Sequence, residues 1–132
     1  MPAPKTVELC EVGPRDGFQF ETTPISTEAK VRYISDLLDA GLRRIQATSF
    51  VHPVKVPQMA DAEDVLSKLP LDQRVSALAL NMRGLERAIE SGVKVVDLSI
   101  ALNERHAADN ANTTVDAGME AASRMIVRAR DA

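Results

Sequence analysis

The stretch Glu11-Val-Gly-Pro-Arg-Asp-Gly-Phe-Gln19 sets an arginine beside an aspartate between two glycines. A carboxylate such as Asp16 is a hard oxygen ligand for a divalent cation. A guanidinium such as Arg15 can hold a carboxylate, or a carbonyl oxygen that gains negative charge during reaction. Gly13 and Gly17 admit backbone geometry closed to other residues, and Pro14 fixes the approach of the chain, so the charged pair is expected in a shaped turn. From the dipeptide alone the plainer reading is a solvated loop with a surface ion pair. What decides between them is the protein around the turn.

Four units of one pattern surround it, each a short apolar run followed by a longer amphipathic one. The first is a strand over Thr6 to Val12, a polar loop, and a helix beginning at Ser26 or Thr27. Val31, Ile34, Leu37 and Leu38 recur there at spacings of three and four, and Gly41 ends the helix. The second is a strand over Arg43 to Phe50, a loop with Pro53 and Pro57, and a helix from about Asp61 to Leu69. The third is a strand over Arg74 to Leu80 and a helix whose Leu85, Ala88 and Ile89 share a face ending at Gly92. The fourth is a strand over Lys94 to Leu102, a polar loop through Asn112, and a helix from Thr113 or Thr114 to about Arg130. Strands alternating with helices require crossovers, so the sheet is expected to be parallel with right-handed connections. Chemistry in such sheets gathers at the carboxyl ends of the strands. The long polar loops 13–25, 49–60 and 102–113 emerge at that end, whereas the returns at Gly41-Leu42 and Gly92-Val93 are tight.

Composition limits what such a site can serve. The 132 residues are 45% hydrophobic, enough for one domain with a real core. Sixteen Lys+Arg against 19 Asp+Glu give a net charge of -3, which argues against a nucleic-acid partner and for a small molecule. No apolar run approaches the ~20 residues that span a bilayer, and Met1 to Lys5 is too short for a targeting peptide, so a soluble, cytoplasmic protein is expected. The single Cys10 cannot form an internal disulfide and reads as a reduced, mostly buried thiol. Glu11 either points inward to pair with Arg15 or a neighbouring-strand arginine, or sits in solvent at the rim. Asp97, within a strand, reads as a satisfied sheet residue, with a place near the site as the other option. Met119 and Met125 read as core or interface.

The string Glu11 to Gln19, with Ala47-Thr-Ser-Phe-Val51 and Val56-Pro-Gln-Met-Ala-Asp61, resembles the N-terminal part of 3-hydroxy-3-methylglutaryl-CoA lyases. These are TIM-barrel, metal-dependent enzymes with a pyruvate-carboxyltransferase-like domain, grouped with isopropylmalate and homocitrate synthases. The resemblance continues through Asn81 to Glu104 and covers nearly the whole chain as a single domain, 1–132. It implies a (β/α)4 half of a TIM barrel and carbon–carbon lyase chemistry on an acyl-CoA, in the setting of leucine degradation. It also implies a divalent metal, Mg²⁺ or Mn²⁺. By the same resemblance Arg15 stabilises a developing enolate and Asp16 is a metal ligand. Gln19, Gln46, Ser49 and Asn103 are then substrate-side residues, with Asn103-Glu104 standing where the family usually has Ser-Glu.

Two departures stand out. Where such lyases usually read Glu-Ala-Thr-Ser-Phe, this chain has Gln46, a neutral amide that can neither accept a proton at neutral pH nor balance Arg15. The family's paired metal histidines, asparagine ligand and cysteine-bearing glycine-rich loop belong to the second half of its barrel, and no counterpart follows in this sequence. His52 and His106 are expected on the same face as Asp16, but as solvated loop residues more than as ligands. Half a barrel would leave two strand edges and an apolar inner face uncovered. The expectation is therefore a fragment, a split half awaiting a complementing half-barrel, or a homo-oligomer, inactive as an isolated chain.

Overall fold

The computed structural model describes residues 4–132, except for the side chains of residues 110 and 111. The expectation about a targeting peptide over residues 1–5 falls largely outside the described residues. Strands β1 (Cys10–Glu11), β2 (Arg44–Phe50), β3 (Val75–Ala79) and β4 (Val95–Leu98) alternate with helices α1 (Thr27–Asp39), α2 (Ala62–Ser67), α3 (Met82–Ser91), α4 (Glu104–Ala111) and α5 (Val115–Arg130). The strands lie in the order β1-β2-β3-β4, every adjacent pair parallel. This is the four-unit parallel array expected, and each sequential neighbour is reached by a helical crossover.

Helix boundaries follow local chemistry. The Ser26 hydroxyl accepts from the Ala29 amide at 3.2 Å, Asn81 Oδ1 from Gly84 at 2.9 Å, and the Thr114 hydroxyl from Ala117 at 3.2 Å. Gly41 and Gly92, with φ of 94° and 77°, carry the chain out of α1 and α3 in the left-handed region.

Alternation along the strands separates two faces. Ile45 and Ala47 of β2, and Val75 and Ala77 of β3, are buried with Ile34 and Leu38 of α1 and Val65 and Leu66 of α2. Each buried Ile, Val or Leu among them stabilises the fold by about 1.5–3 kcal/mol. The intervening Gln46 and Ser76 turn the other way, where both hydrogen-bond to Asp97 of β4. This second face corresponds to a barrel interior.

Four local expectations are corrected. β1 is confined to Cys10–Glu11 instead of Thr6 to Val12, and Val7 and Leu9 are exposed. As an edge strand it pairs with β2 alone, so little holds its N-terminal end. The same edge position leaves Cys10 exposed, not buried. β4 stops at Leu98, short of Leu102. The loop that follows contains α4, a helix of mostly polar residues in which Ala107 is buried; without a broad apolar stripe it had no helical period to read.

Candidate active site at the strand ends

Beyond β1 the chain winds into a single π-helical turn, Gly13–Gly17, with Pro14 buried at its start. The Val12 carbonyl accepts from the amides of Arg15 at 3.1 Å and Asp16 at 2.7 Å, while the Glu11 carboxylate accepts from the Gly13 amide at 2.6 Å. Glu11 therefore fastens the turn instead of pairing with Arg15. Neither Gly13 nor Gly17 adopts a positive φ, contrary to the reason expected for them. At Gly13 the constraint is space: a Cβ there would come 2.8 Å from Glu11 Oε1.

The turn delivers Arg15 to the inner face of β2. Its Nε donates to Gln46 Oε1 at 2.5 Å, and its Nη1 donates to Asp16 Oδ1 at 2.8 Å. Gln46 Nε2 donates to Asp97 Oδ2 at 2.6 Å, and the Ser76 hydroxyl donates to the same oxygen at 2.7 Å. Arg44 Nη2 faces the other Asp97 oxygen at 3.9 Å. One polar line thus runs from Asp16 through Arg15 and Gln46 to Asp97, across three strands.

Ser49 shares that face. A register shift between Gln46 and Thr48 lets Gln46 pair with Ser76 and Ser49 with Leu78, residues two apart on β3, so the bulge aligns side chains three apart on β2. Ser49 is fully buried and, among the described residues, its hydroxyl has no hydrogen-bond partner. A buried hydroxyl with no partner, on the face that carries Gln46, is one that calls for an explanation.

The remaining expected residues are placed differently. Gln19 is half-buried just past the turn, where Phe18 packs on Tyr33 with ring centroids 5.3 Å apart, and among the described residues no side-chain hydrogen bond joins it to Arg15 or Asp16. Asn103 is exposed and caps α4, its Oδ1 accepting from the His106 amide at 3.2 Å. His52 is exposed, with Nδ1 accepting from Val54. Among the described residues no three His, Cys, Asp or Glu side chains gather to hold a metal ion. One hard oxygen donor stands at one corner of the site, the Asp16 carboxylate, half-exposed and paired with Arg15.

A second polar network steadies the turn from behind. The Gln58 amide donates to the carbonyls of Glu21 at 2.9 Å and Thr23 at 2.7 Å, and accepts from Ile25 at 3.2 Å. Asp61 takes the Lys30 ammonium and the Thr27 hydroxyl, each at 2.7 Å. The loop after β1 is thereby clamped to the loop after β2. Asp97 and Ser76, like Lys30 and Gln58, were not among the expected site residues. For Asp97 the signal was a carboxylate inside an otherwise apolar strand run.

Comparison with known proteins gives this arrangement a context. Residues 6–132 match the HMGL-like family. A 3-hydroxy-3-isohexenylglutaryl-CoA/hydroxymethylglutaryl-CoA lyase of Pseudomonas aeruginosa is 43% identical over 122 residues, 91% of this chain and 41% of that protein. The crystal structure of the Bacillus subtilis HMG-CoA lyase superposes with a TM-score of 0.92 at 37% identity, covering 99% of this chain and 45% of that one. An HMG-CoA lyase from Acinetobacter baumannii, solved with coenzyme A and 3-methylmalate, gives a TM-score of 0.84 at 28% identity over 92% of this chain and 40% of that one. The chain spans less than half the length of each.

Proposed function

The chain belongs to the HMGL-like family, and from that premise we propose that it forms the arginine-and-carboxylate part of a carbon–carbon lyase site. The substrate is 3-hydroxy-3-methylglutaryl-CoA or a similar 3-hydroxyacyl-CoA, and the products are acetyl-CoA and a keto acid. In this reaction a base takes the proton of the substrate hydroxyl, the bond between the carbinol carbon and the thioester α-carbon breaks, and the electron pair moves into the thioester as an enolate, which takes up a proton at its α-carbon to give acetyl-CoA. Arg15 holds the enolate oxygen. A donor held by fixed partners stabilises such charge without reorganising at the moment of reaction, an effect of about 3–4 kcal/mol in comparable sites. A bound Mg²⁺ or Mn²⁺ supplies Lewis acidity toward the substrate oxygens, and Asp16 is the residue of this chain that would hold it. The Ser49 hydroxyl serves as a substrate contact, with Gln19 and Asn103 at the rim. Gln46 cannot act as the base; it orients Arg15.

The observation that carries this reading is the Arg15 guanidinium fixed between Gln46 and Asp16 at the strand ends. Because among the described residues no three metal-ligating side chains gather there, the purified chain with Mg²⁺ or Mn²⁺ is expected not to cleave 3-hydroxy-3-methylglutaryl-CoA. Turnover that Asp16→Ala abolishes would contradict that. Gln46 favours, as a variant of the same reading, a related acyl-CoA lyase or a Claisen-type synthase. A non-catalytic half-barrel assembly module is the reading favoured by the exposure of Ile100 and Leu102 after β4 and of Val7 and Leu9 before β1. It places a second copy or a complementing half-barrel on those edges, in a soluble cytoplasmic setting. Among the described residues no helix is long and apolar enough to cross a membrane.

A further inference from the structure

Gln46 is a neutral side chain in a line of charges, with Arg15 and Asp16 on one side and Asp97 and Arg44 on the other. We propose that Asp97 is a positioning residue for Arg15, acting through Gln46, and that it supplies from β4 the negative charge that a glutamate at position 46 would supply from β2. The functional half of this claim rests on Arg15 being the group that holds the enolate.

Hydrogen-bond polarity carries the argument. A guanidinium only donates and an ionised carboxylate only accepts, so a primary amide between them satisfies both in a single orientation. Oε1 meets Arg15 Nε at 2.5 Å and Nε2 meets Asp97 at 2.6 Å. Released from Asp97, the amide could turn over and present its NH₂ to Arg15, donor against donor. Asp97 therefore decides which end of Gln46 the arginine meets. Asp97 is itself oriented from two strands, by the Ser76 hydroxyl at 2.7 Å on β3 and by Arg44 at 3.9 Å on β2. Glutamate at 46 would serve Arg15 as well, but would set its other oxygen 2.6 Å from Asp97. Two carboxylates that close repel, and one of them keeps its proton to higher pH than it otherwise would. The line has room for one carboxylate beyond Asp16, and this sequence carries it at position 97. The charged groups around it are Arg44, which also pairs with Glu8 at 3.7 Å, and, across Gln46, Arg15 with Asp16; β3 contributes the neutral Ser76.

The test reads Arg15 directly in the 132-residue chain. In ¹⁵N-labelled protein the Arg15 Nε–Hε signal, assigned by its loss in Arg15→Lys, exchanges slowly with water while Gln46 accepts from it. Asp97→Leu is expected to speed that exchange by at least about tenfold. Asp97→Asn is expected to keep it slow, because Gln46 and Ser76 both donate to one Asp97 oxygen that an amide oxygen can replace. Unchanged exchange in a folded Asp97→Leu chain would overturn the proposal. Should that variant not fold, Gln46→Glu and Gln46→Glu/Asp97→Asn decide. The single variant should lose thermal stability, and lose more at pH 8 than at pH 5, since its carboxyl pair has to retain a proton. The double variant should regain most of the loss. Equal losses with and without Asp97→Asn would overturn the proposal. Neither measurement uses substrate or metal, so its outcome is separate from that of the lyase reading.

Discussion

The ammonium of Lys30 on α1 lies 2.7 Å from Asp61 Oδ1 and 2.5 Å from the Gln58 carbonyl, both on the chain that follows β2. Lys30 is 4% exposed and stands four and eight residues before Ile34 and Leu38, on the buried stripe of α1. A charge so enclosed is tolerated because it is paired and hydrogen-bonded. Removing Asp61 leaves a buried ammonium without its counter-charge, whereas removing Lys30 leaves a carboxylate that is partly solvated. Asp61→Ala should therefore destabilise the chain by about 3 kcal/mol and Lys30→Met by about 1 kcal/mol, measured by urea unfolding. The reverse order would show that the pair is not what clamps the first loop.

Gly84 opens α3 where it passes over the end of β2. Exchange of an exposed helical glycine for alanine ordinarily stabilises by about 1 kcal/mol. Here an added Cβ would lie 2.5 Å from the Phe50 carbonyl oxygen, a backbone atom with no room to yield. Steric cost outweighs propensity: Gly84→Ala should destabilise by about 1–3 kcal/mol in the same unfolding experiment. A gain in stability would contradict this packing.

Arg87 joins three elements, stacking on Phe50 at 5.2 Å, donating to the Val51 carbonyl at 3.2 Å and pairing with Glu63 at 2.7 Å. Burial pushes the Glu63 carboxyl upward, but the Arg87 hydrogen bond, with the backbone and charge contributions, outweighs it and leaves the group below the ordinary glutamate value. A depressed folded pKa contributes stability that is present above the unfolded value and lost as pH falls through the folded one. Stability should therefore decline in acid less steeply in Glu63→Gln than in the parent chain. Arg87→Ala should cost about 1–2 kcal/mol at neutral pH through the lost stacking and pairing together. Parallel acid profiles for the parent and Glu63→Gln would refute the Glu63 contribution.

Much of the fold was readable because its signals are local. Ser26 and Thr114 mark helix starts, Gly41 and Gly92 mark ends, and the apolar spacing of Ile34 with Leu38 needs no knowledge of the partner strand. Arg15 and Asp16 were readable from a single string, since one turn carries both. The rest depends on distance in the chain. Gln46 reads as a lost carboxylate until Asp97, 51 residues later, is found donating nothing and accepting its amide. Lys30, a charge on the same stripe as Ile34 and Leu38, has no partner nearby in the sequence; Gln58 and Asp61 enclose it from the chain after β2. Cys10 fails for a related reason: its apolar neighbours suggested burial, but an edge strand of a four-stranded sheet has a neighbour on one side alone.

The central claim is that Arg15, held by Gln46 beside Asp16, is the enolate-stabilising arginine of a lyase site. Residues 6–132 put in place of the matching segment of the Pseudomonas aeruginosa lyase would set that turn in a full-length barrel. Steady-state cleavage of 3-hydroxy-3-methylglutaryl-CoA by this chimera with Mg²⁺ tests the claim most directly. The account predicts turnover that Arg15→Gln reduces about 10²–10³-fold in kcat with the fold intact. A folded chimera without activity, or one whose Arg15→Gln variant keeps the parent rate, would contradict it.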